Sequence, residues 1–192
     1  MIYLRKPVIL ASNSPRRKQL LTDLGFDFTV DVLPIDESFP AEMPTHEVAG
    51  YISGAKAEVF RGKRPGDIVL TADTVVVAEN RILGKPADEA EAFEMLRLLS
   101  GKKHDVVTAV SILSDNGLET VSDTATVYFR DLEDSEISYY IDLCKPFDKA
   151  GAYGIQEWIG MTAIEKIEGS FYTIMGLPVH IVYQKLKPFF RD

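Results

Sequence analysis

Residues 68–78 read Ile-Val-Leu-Thr-Ala-Asp-Thr-Val-Val-Val-Ala, a β-branched apolar run that contains a single carboxylate. Such a run has the pattern of a buried strand. It predicts a strand from Ile68 to Ala72, a break at Asp73-Thr74, and a continuation from Val75 to Ala78. An unpaired charge buried among such residues would cost several kcal/mol. Asp73 must therefore be paired, protonated, placed at a strand end or bound to a metal. A structural aspartate at a strand end is the plain reading. Strand ends in α/β sheets are also where sites gather, and this favours function.

The rest of the chain alternates strand and helix patterns, which predicts a layered α/β fold in one domain spanning residues 1–192. Val8 to Ala11 reads as a strand. Ser14 is a suitable N-cap and Pro15 a suitable first residue for a helix that ends at Leu24-Gly25. Phe28 to Leu33 reads as a strand. Thr45 is the expected cap of a helix reaching about Arg61, with Val48, Ile52, Ala55 and Val59 on one side. Glu79-Asn80 turns the chain into a strand at Arg81 to Leu83, and Asp88 opens a helix ending near Ser100-Gly101. Asn116-Gly117 marks a hairpin between strands at Val106–Leu113 and Leu118–Phe129. A helix at Glu133–Leu143, a loop at Cys144–Gln156, a strand at Met161–Ile167 and a helix at Pro178–Phe189 complete the reading.

Charge and cysteine content narrow the function. Twenty-one basic against 29 acidic residues give a net charge of −8, which disfavours broad binding to nucleic acid. Cys144 is the single cysteine, so no internal disulfide forms, and a cytoplasmic, reducing location is expected. His46, His104 and His180 are scattered, which argues against a zinc site. No run is apolar and long enough to span a membrane. The N-terminal apolar stretch is interrupted by Pro7 and reads as a strand, not a signal peptide.

A second feature breaks a local rule. Ser12-Asn13-Ser14-Pro15-Arg16-Arg17 places two arginines at a helix N-terminus, where the helix dipole already supplies positive charge. A bound phosphate would reverse the argument: it would accept the helix N–H groups, the hydroxyls of Ser12 and Ser14, and the guanidinium forks. The competing reading points both arginines into water. Lys85 in Gly84-Lys85-Pro86, Lys56 on a helix, and Asp148, Lys149, Tyr153 and Gln156 in the 146–156 loop are each ordinary surface taken alone. Phosphate loops of the G-x-x-x-x-G-K-[ST] kind, G-x-G-x-x-G and G-x-S-x-G are absent. Asp73-Thr74-Val75 lacks the second aspartate of aspartyl-phosphate chemistry.

Together these segments resemble the Maf family of nucleoside triphosphate pyrophosphatases. The resemblance rests on Leu10-Ala-Ser-Asn-Ser-Pro-Arg-Arg17, Ala72-Asp-Thr-Val-Val76 and Gly84-Lys-Pro86. It rests equally on His104-x-Val-x-Thr-Ala109, Asp148-Lys-Ala-Gly-Ala-Tyr-Gly-Ile-Gln156 and Gly169-Ser-Phe-Tyr-Thr-Ile-Met-Gly-Leu-Pro178. It runs from about Ile9 to the last helix. It implies a fold similar to that of inosine triphosphate pyrophosphatases: an elongated mixed central sheet flanked by helices, in two lobes with a cleft. It implies Asp73 as catalytic base. Arg16, Thr74 and Gln156 match positions linked to substrate choice, and Ser12, Arg17, Glu37, Lys56, Lys85 and Lys149 match cleft positions. The 148–156 segment looks like the branch that accepts dTTP and UTP.

The implied reaction is hydrolysis of a nucleoside triphosphate to the monophosphate and pyrophosphate, with a divalent metal, Mg²⁺ or Mn²⁺, held by Asp73 and Glu37. Two rival readings are a nucleotide-binding regulator of cell division with little catalysis, and a phosphatase releasing orthophosphate. The apolar hairpin and Trp158 are the candidates for a homodimer contact.

Overall fold

The computed structural model describes residues 2–191. It is a mixed α/β fold with a seven-stranded sheet in the order β2-β1-β3-β5-β6-β7, and β4 pairs with β3. The strands are β1 (Val8–Leu10), β2 (Thr29–Val30), β3 (Ile68–Ala78), β4 (Arg81–Leu83), β5 (Lys103–Ser114), β6 (Gly117–Phe129) and β7 (Ile164–Glu168). β1 runs parallel to β2 and β3, whereas β4 is antiparallel to β3 and β7 to β6. The helices are α1 (Pro15–Asp23), α2 (Val48–Glu58), α3 (Glu89–Leu99), α4 (Asp134–Cys144), α5 (Trp158–Thr162), α6 (Phe171–Met175) and α7 (Val179–Leu186).

Two compact units share these elements. The first holds Met1–Asp73, Thr108–Asp123 and Gly176–Asp192; the second holds Thr74–Val107 and Thr124–Met175. The division falls inside β3, between Asp73 and Thr74. The first unit packs Ile9, Ala11, Ala57, Phe60, Val69 and Leu113 into one apolar cluster. The second has a larger core, in which Leu96, Leu99 and Ile137 are among the fully enclosed side chains.

Local chemistry explains most element ends. Ser14 caps α1 by accepting from the Arg17 N–H at 3.5 Å, and Gly25 takes a positive φ of 82° just past the helix end. Asp88 caps α3 by accepting from the Glu91 N–H at 2.9 Å. Glu133 and Glu136 form a reciprocal capping box on α4. Glu79 and Asn80 both take positive φ, which suits the tight turn between β3 and β4.

Several expectations are corrected. β3 is continuous through Asp73-Thr74, because the buried carboxylate has an ion-pair partner and the strand need not break around it. Thr45 does not cap α2, which begins three residues later after Glu47 with no side-chain cap. The face that α2 buries is Val48, Ala49, Ile52, Ser53 and Ala57, so Ala55 and Val59 lie to its side. β2 is only two residues long. Residues 158–162 are helical, so β7 starts at Ile164 and not Met161, and α6 was not anticipated.

Candidate active site

The first unit gathers polar residues around Asp73, at the middle of β3. Asp73 is buried, and its Oδ1 lies 2.7 Å from Lys56 Nζ. The same ammonium lies 2.8 Å from Oε1 of Glu37, an exposed residue of the segment before α2. Lys56 thus draws two carboxylates to one point. It stands in the last turn of α2, where the helix dipole favours a cation.

A seam of hydroxyls seats α2 on the sheet. Thr71 Oγ1 donates to the Ser53 carbonyl at 2.8 Å, Ser111 Oγ donates to Ser53 Oγ at 2.9 Å, and Ser111 and Thr120 hydroxyls meet at 2.7 Å. Buried hydroxyls are tolerated because each finds a partner. A Cβ on Gly50 would stand 3.3 Å from Ser122 Oγ, a tight contact that shows how closely α2 approaches β6 here. The sequence reading missed this seam. Its trace was present in Gly50-x-x-x-Gly54 on the helix and in Ser53, Thr71 and Ser111, which are polar residues inside apolar patterns.

Arg17 is half-buried in the same unit. Its Nε donates to the Gly176 carbonyl and its Nη1 to the Ala72 carbonyl, both at 2.8 Å, and Nη1 also lies 3.4 Å from Ser12 Oγ. Burial pulls its pKa below the usual arginine value. Asp73 opposes that shift, neighbouring Arg16 adds to it, and Glu37 opposes it. The guanidinium thus braces the backbone beside Asp73, and the nearby Asp73 and Glu37 carboxylates favour its charge. Ser12 is buried and accepts from the Ser14 N–H at 3.2 Å, so both hydroxyls of the motif serve the turn into α1. Arg16 is half-buried beside them.

The second unit carries Thr74, Lys85, Lys149 and Gln156. Lys85 and Gln156 are exposed and Thr74 is half-buried. Lys149 is buried, and its ammonium is engaged by Asp148 at 2.7 Å and Glu157 at 3.0 Å. The Gly151 N–H donates to the Gly84 carbonyl at 3.0 Å, which ties the Lys149 loop to the Gly84-Lys85-Pro86 turn. His104 lies behind this loop, edge-on to Phe129 and Tyr153, and its Nε2 is 2.7 Å from the Tyr153 hydroxyl. Its Nδ1 is buried with no hydrogen-bond partner among the described residues, and burial holds its pKa down to about 4. The imidazole is therefore neutral at ordinary pH. Sequence reasoning did not anticipate Glu157 or Tyr140, whose buried hydroxyl joins Glu157 to the loop.

Among the described residues, no cluster of three or more His, Cys, Asp or Glu side chains is arranged to hold a metal ion, and no helix is long and apolar enough to cross a membrane.

The family profile for Maf-like protein matches residues 7–189. The chain belongs to the Maf family. Its relatives in that family span almost the whole chain. A Bacteroides thetaiotaomicron protein named dTTP/UTP pyrophosphatase is 48% identical over 182 residues, which cover 94% of both chains. A Porphyromonas gingivalis protein of the same name is 47% identical over 186 residues, covering 95% of this chain and 94% of its own. A third, from Christiangramia forsetii, is 46% identical over 181 residues, covering 94% and 92%. Among solved structures, the Staphylococcus aureus Ham1 protein aligns with a TM-score of 0.51 at 17% identity, over 95% of this chain and 99% of its own. That similarity is one of fold and agrees with the expected mixed α/β architecture of a Maf protein.

Proposed function

We propose that this protein hydrolyses dTTP and UTP to the nucleoside monophosphate and pyrophosphate, with Asp73 as the general base. The observation that carries the reading is the Lys56 ammonium held between Asp73 and Glu37, beside the Arg17 guanidinium, in a chain whose full-length relatives bear that activity in their names.

Lys56 occupies Oδ1 of Asp73, which assigns Oδ2 to the reaction. Water oxygen adds to the α-phosphorus, its proton passes to Asp73, and the bond from the α-phosphorus to the bridging oxygen breaks to release pyrophosphate. Lys56 and Arg17 then face the charge that develops on the phosphates. Arg16 and the Ser12–Ser14 turn are assigned to phosphate contact at the start of α1. In the second unit, considered by itself, Lys85 is assigned to phosphate, and Thr74 and Gln156 to the base. A side-chain amide donates and accepts at once, which suits a uracil or thymine edge.

A divalent metal fits the donor set. Lys56 takes Asp73 Oδ1 and Glu37 Oε1, so Mg²⁺ would be held through the second oxygen of each carboxylate, with substrate phosphates and water completing its shell. When bound, Mg²⁺ or Mn²⁺ supplies neutralising charge at the phosphates and acidity to water. A nucleotide substrate and a single free cysteine together suit the cytoplasm.

The deciding experiment is a product assay with dTTP, UTP, CTP, dATP, GTP and 7-methyl-GTP, with and without Mg²⁺ or Mn²⁺. Metal-dependent appearance of pyrophosphate with TMP or UMP is expected. Saturable binding without turnover would replace the enzyme with a nucleotide-binding regulator, and orthophosphate as first product would replace it with a phosphatase.

A further inference from the structure

The segment 148–157 has the composition of a surface loop, yet it is held at many points. Tyr140, on α4, is fully enclosed. Its hydroxyl donates to Glu157 Oε2 and accepts from the Gly154 N–H at 3.0 Å. The other Glu157 oxygen, Oε1, lies 3.0 Å from Lys149 Nζ. One carboxylate therefore links the first and last parts of the loop, and one phenol links that carboxylate to the loop backbone. Burial and the Glu157 carboxylate push the Tyr140 phenol well above the ordinary tyrosine range, so the hydroxyl keeps its proton and acts as the donor.

Two glycines are required by this arrangement. A Cβ on Gly154 would stand 2.8 Å from the Glu157 carboxylate carbon and 2.9 Å from Oε2, so any side chain there displaces the carboxylate. Gly151 has φ of 68° and a Cβ there would meet Val76 at 3.0 Å. Ala152, buried, also takes a positive φ of 59°. A non-glycine residue in that region costs on the order of 1–2 kcal/mol and persists only where surrounding contacts enforce it.

Gln156 sits between two anchored neighbours. Ile155 is buried in the core of the second unit, and Glu157 is bound by Tyr140 and Lys149. Gln156 itself is exposed. We infer that Tyr140, Glu157 and Lys149 form a clamp that fixes the backbone on either side of Gln156, and so the point from which its amide reaches, which makes Tyr140 and Glu157 positioning residues for the choice of nucleobase. The inference rests on the proposed role of Gln156 at the base. It also gives the Lys149 ammonium a task within the loop, where two carboxylates already answer its charge.

The test uses Tyr140→Phe, Glu157→Gln and Gly154→Ala in the full chain. The first two remove a polar partner, and the third adds only a methyl group. Steady-state kinetics with dTTP, UTP, CTP and dATP should show discrimination compressed about tenfold, mainly through KM, the scale expected when a hydrogen-bonding group at the base is no longer held in place. Turnover number on dTTP should stay within about threefold of wild type. Gln156→Ala added to Tyr140→Phe should cost little more discrimination than either change alone, since coupled residues are non-additive. Additive effects, or variants that melt earlier with unchanged discrimination, overturn the clamp and leave a structural loop. If the wild type turns over no nucleotide, the pyrophosphatase reading fails, and the same comparison is read as dissociation constants. A wild type that binds no nucleotide overturns both.

Discussion

Each unit places a lysine between two carboxylates, and the two placements differ in instructive ways. Lys56 faces Asp73 and Glu37; Lys149 faces Glu157 and Asp148. In each case one carboxylate is shielded and the other is open to solvent. The Lys149 side chain retains 8% of its exposure, against 18% for Lys56. The partners of Lys149 lie within eight residues of it, and a neutral phenol completes the network. The partners of Lys56 come from separate segments, and a second cation, Arg17, stands near them. The local triad closes a loop on itself. The assembled triad brings two carboxylates and two cations from separate segments around one point, the arrangement on which the proposed hydrolysis rests. The lesson is that a lysine between two carboxylates has no fixed meaning: its role depends on how far the chain must travel to build it.

The comparison breaks most visibly at Asp73. Asp73→Asn should lower turnover of dTTP by about 10²–10⁴-fold, the usual contribution of a positioned general base, while the melting temperature moves little. Turnover near wild type would remove the functional half of the contrast.

The next effect is acid sensitivity in the second unit. Burial holds the folded-state pKa of His104 at about 4 against an ordinary 6.5. Between those values the unfolded chain binds a proton that the folded chain refuses. Stability is therefore intact above about pH 6.5 and declines as pH falls toward 4, by roughly 3 kcal/mol in total. Urea unfolding at stepped pH should show this slope in the wild type and lose it in His104→Asn. An identical slope in both would place the acid sensitivity elsewhere.

Lysine replacements sharpen the contrast directly. Lys149→Met leaves Glu157 without its cation and should cost about 1–3 kcal/mol of stability, the range for a buried polar group deprived of its partner. Lys56→Met likewise leaves buried Asp73 without its cation, so it should lower stability at least as much and, unlike Lys149→Met, also depress turnover. Chemical denaturation and dTTP turnover measured on both variants give the answer, and a turnover loss confined to Lys149→Met would exchange the roles assigned to the two lysines.

The smallest effect concerns Gln156. Gln156→Ala should change the ranking of nucleotides by about tenfold while leaving the rate on the best substrate nearly unchanged. Equal losses on all nucleotides would assign Gln156 to general positioning.

The sequence by itself determined the α/β alternation, the caps at Ser14 and Asp88, the turn at Glu79-Asn80, the hairpin and the ordered motifs that mark the Maf family. These depend on residue types a few positions apart, where local propensity and periodicity act directly. It also marked Asp73 as a charge needing a partner, because burial of a charge has a cost that composition alone reveals. Only the tertiary structure decided which partner. Lys56 is 17 residues away in the chain and Glu37 farther still, so their meeting depends on α2 settling on the sheet through the hydroxyl seam. The continuity of β3 follows from that pairing, because a satisfied carboxylate removes the reason for a break. The clamp on Gln156 was illegible for the same reason. Tyr140 reads as one more core aromatic of α4 until the loop folds back and sets Gly154 and Glu157 against its hydroxyl.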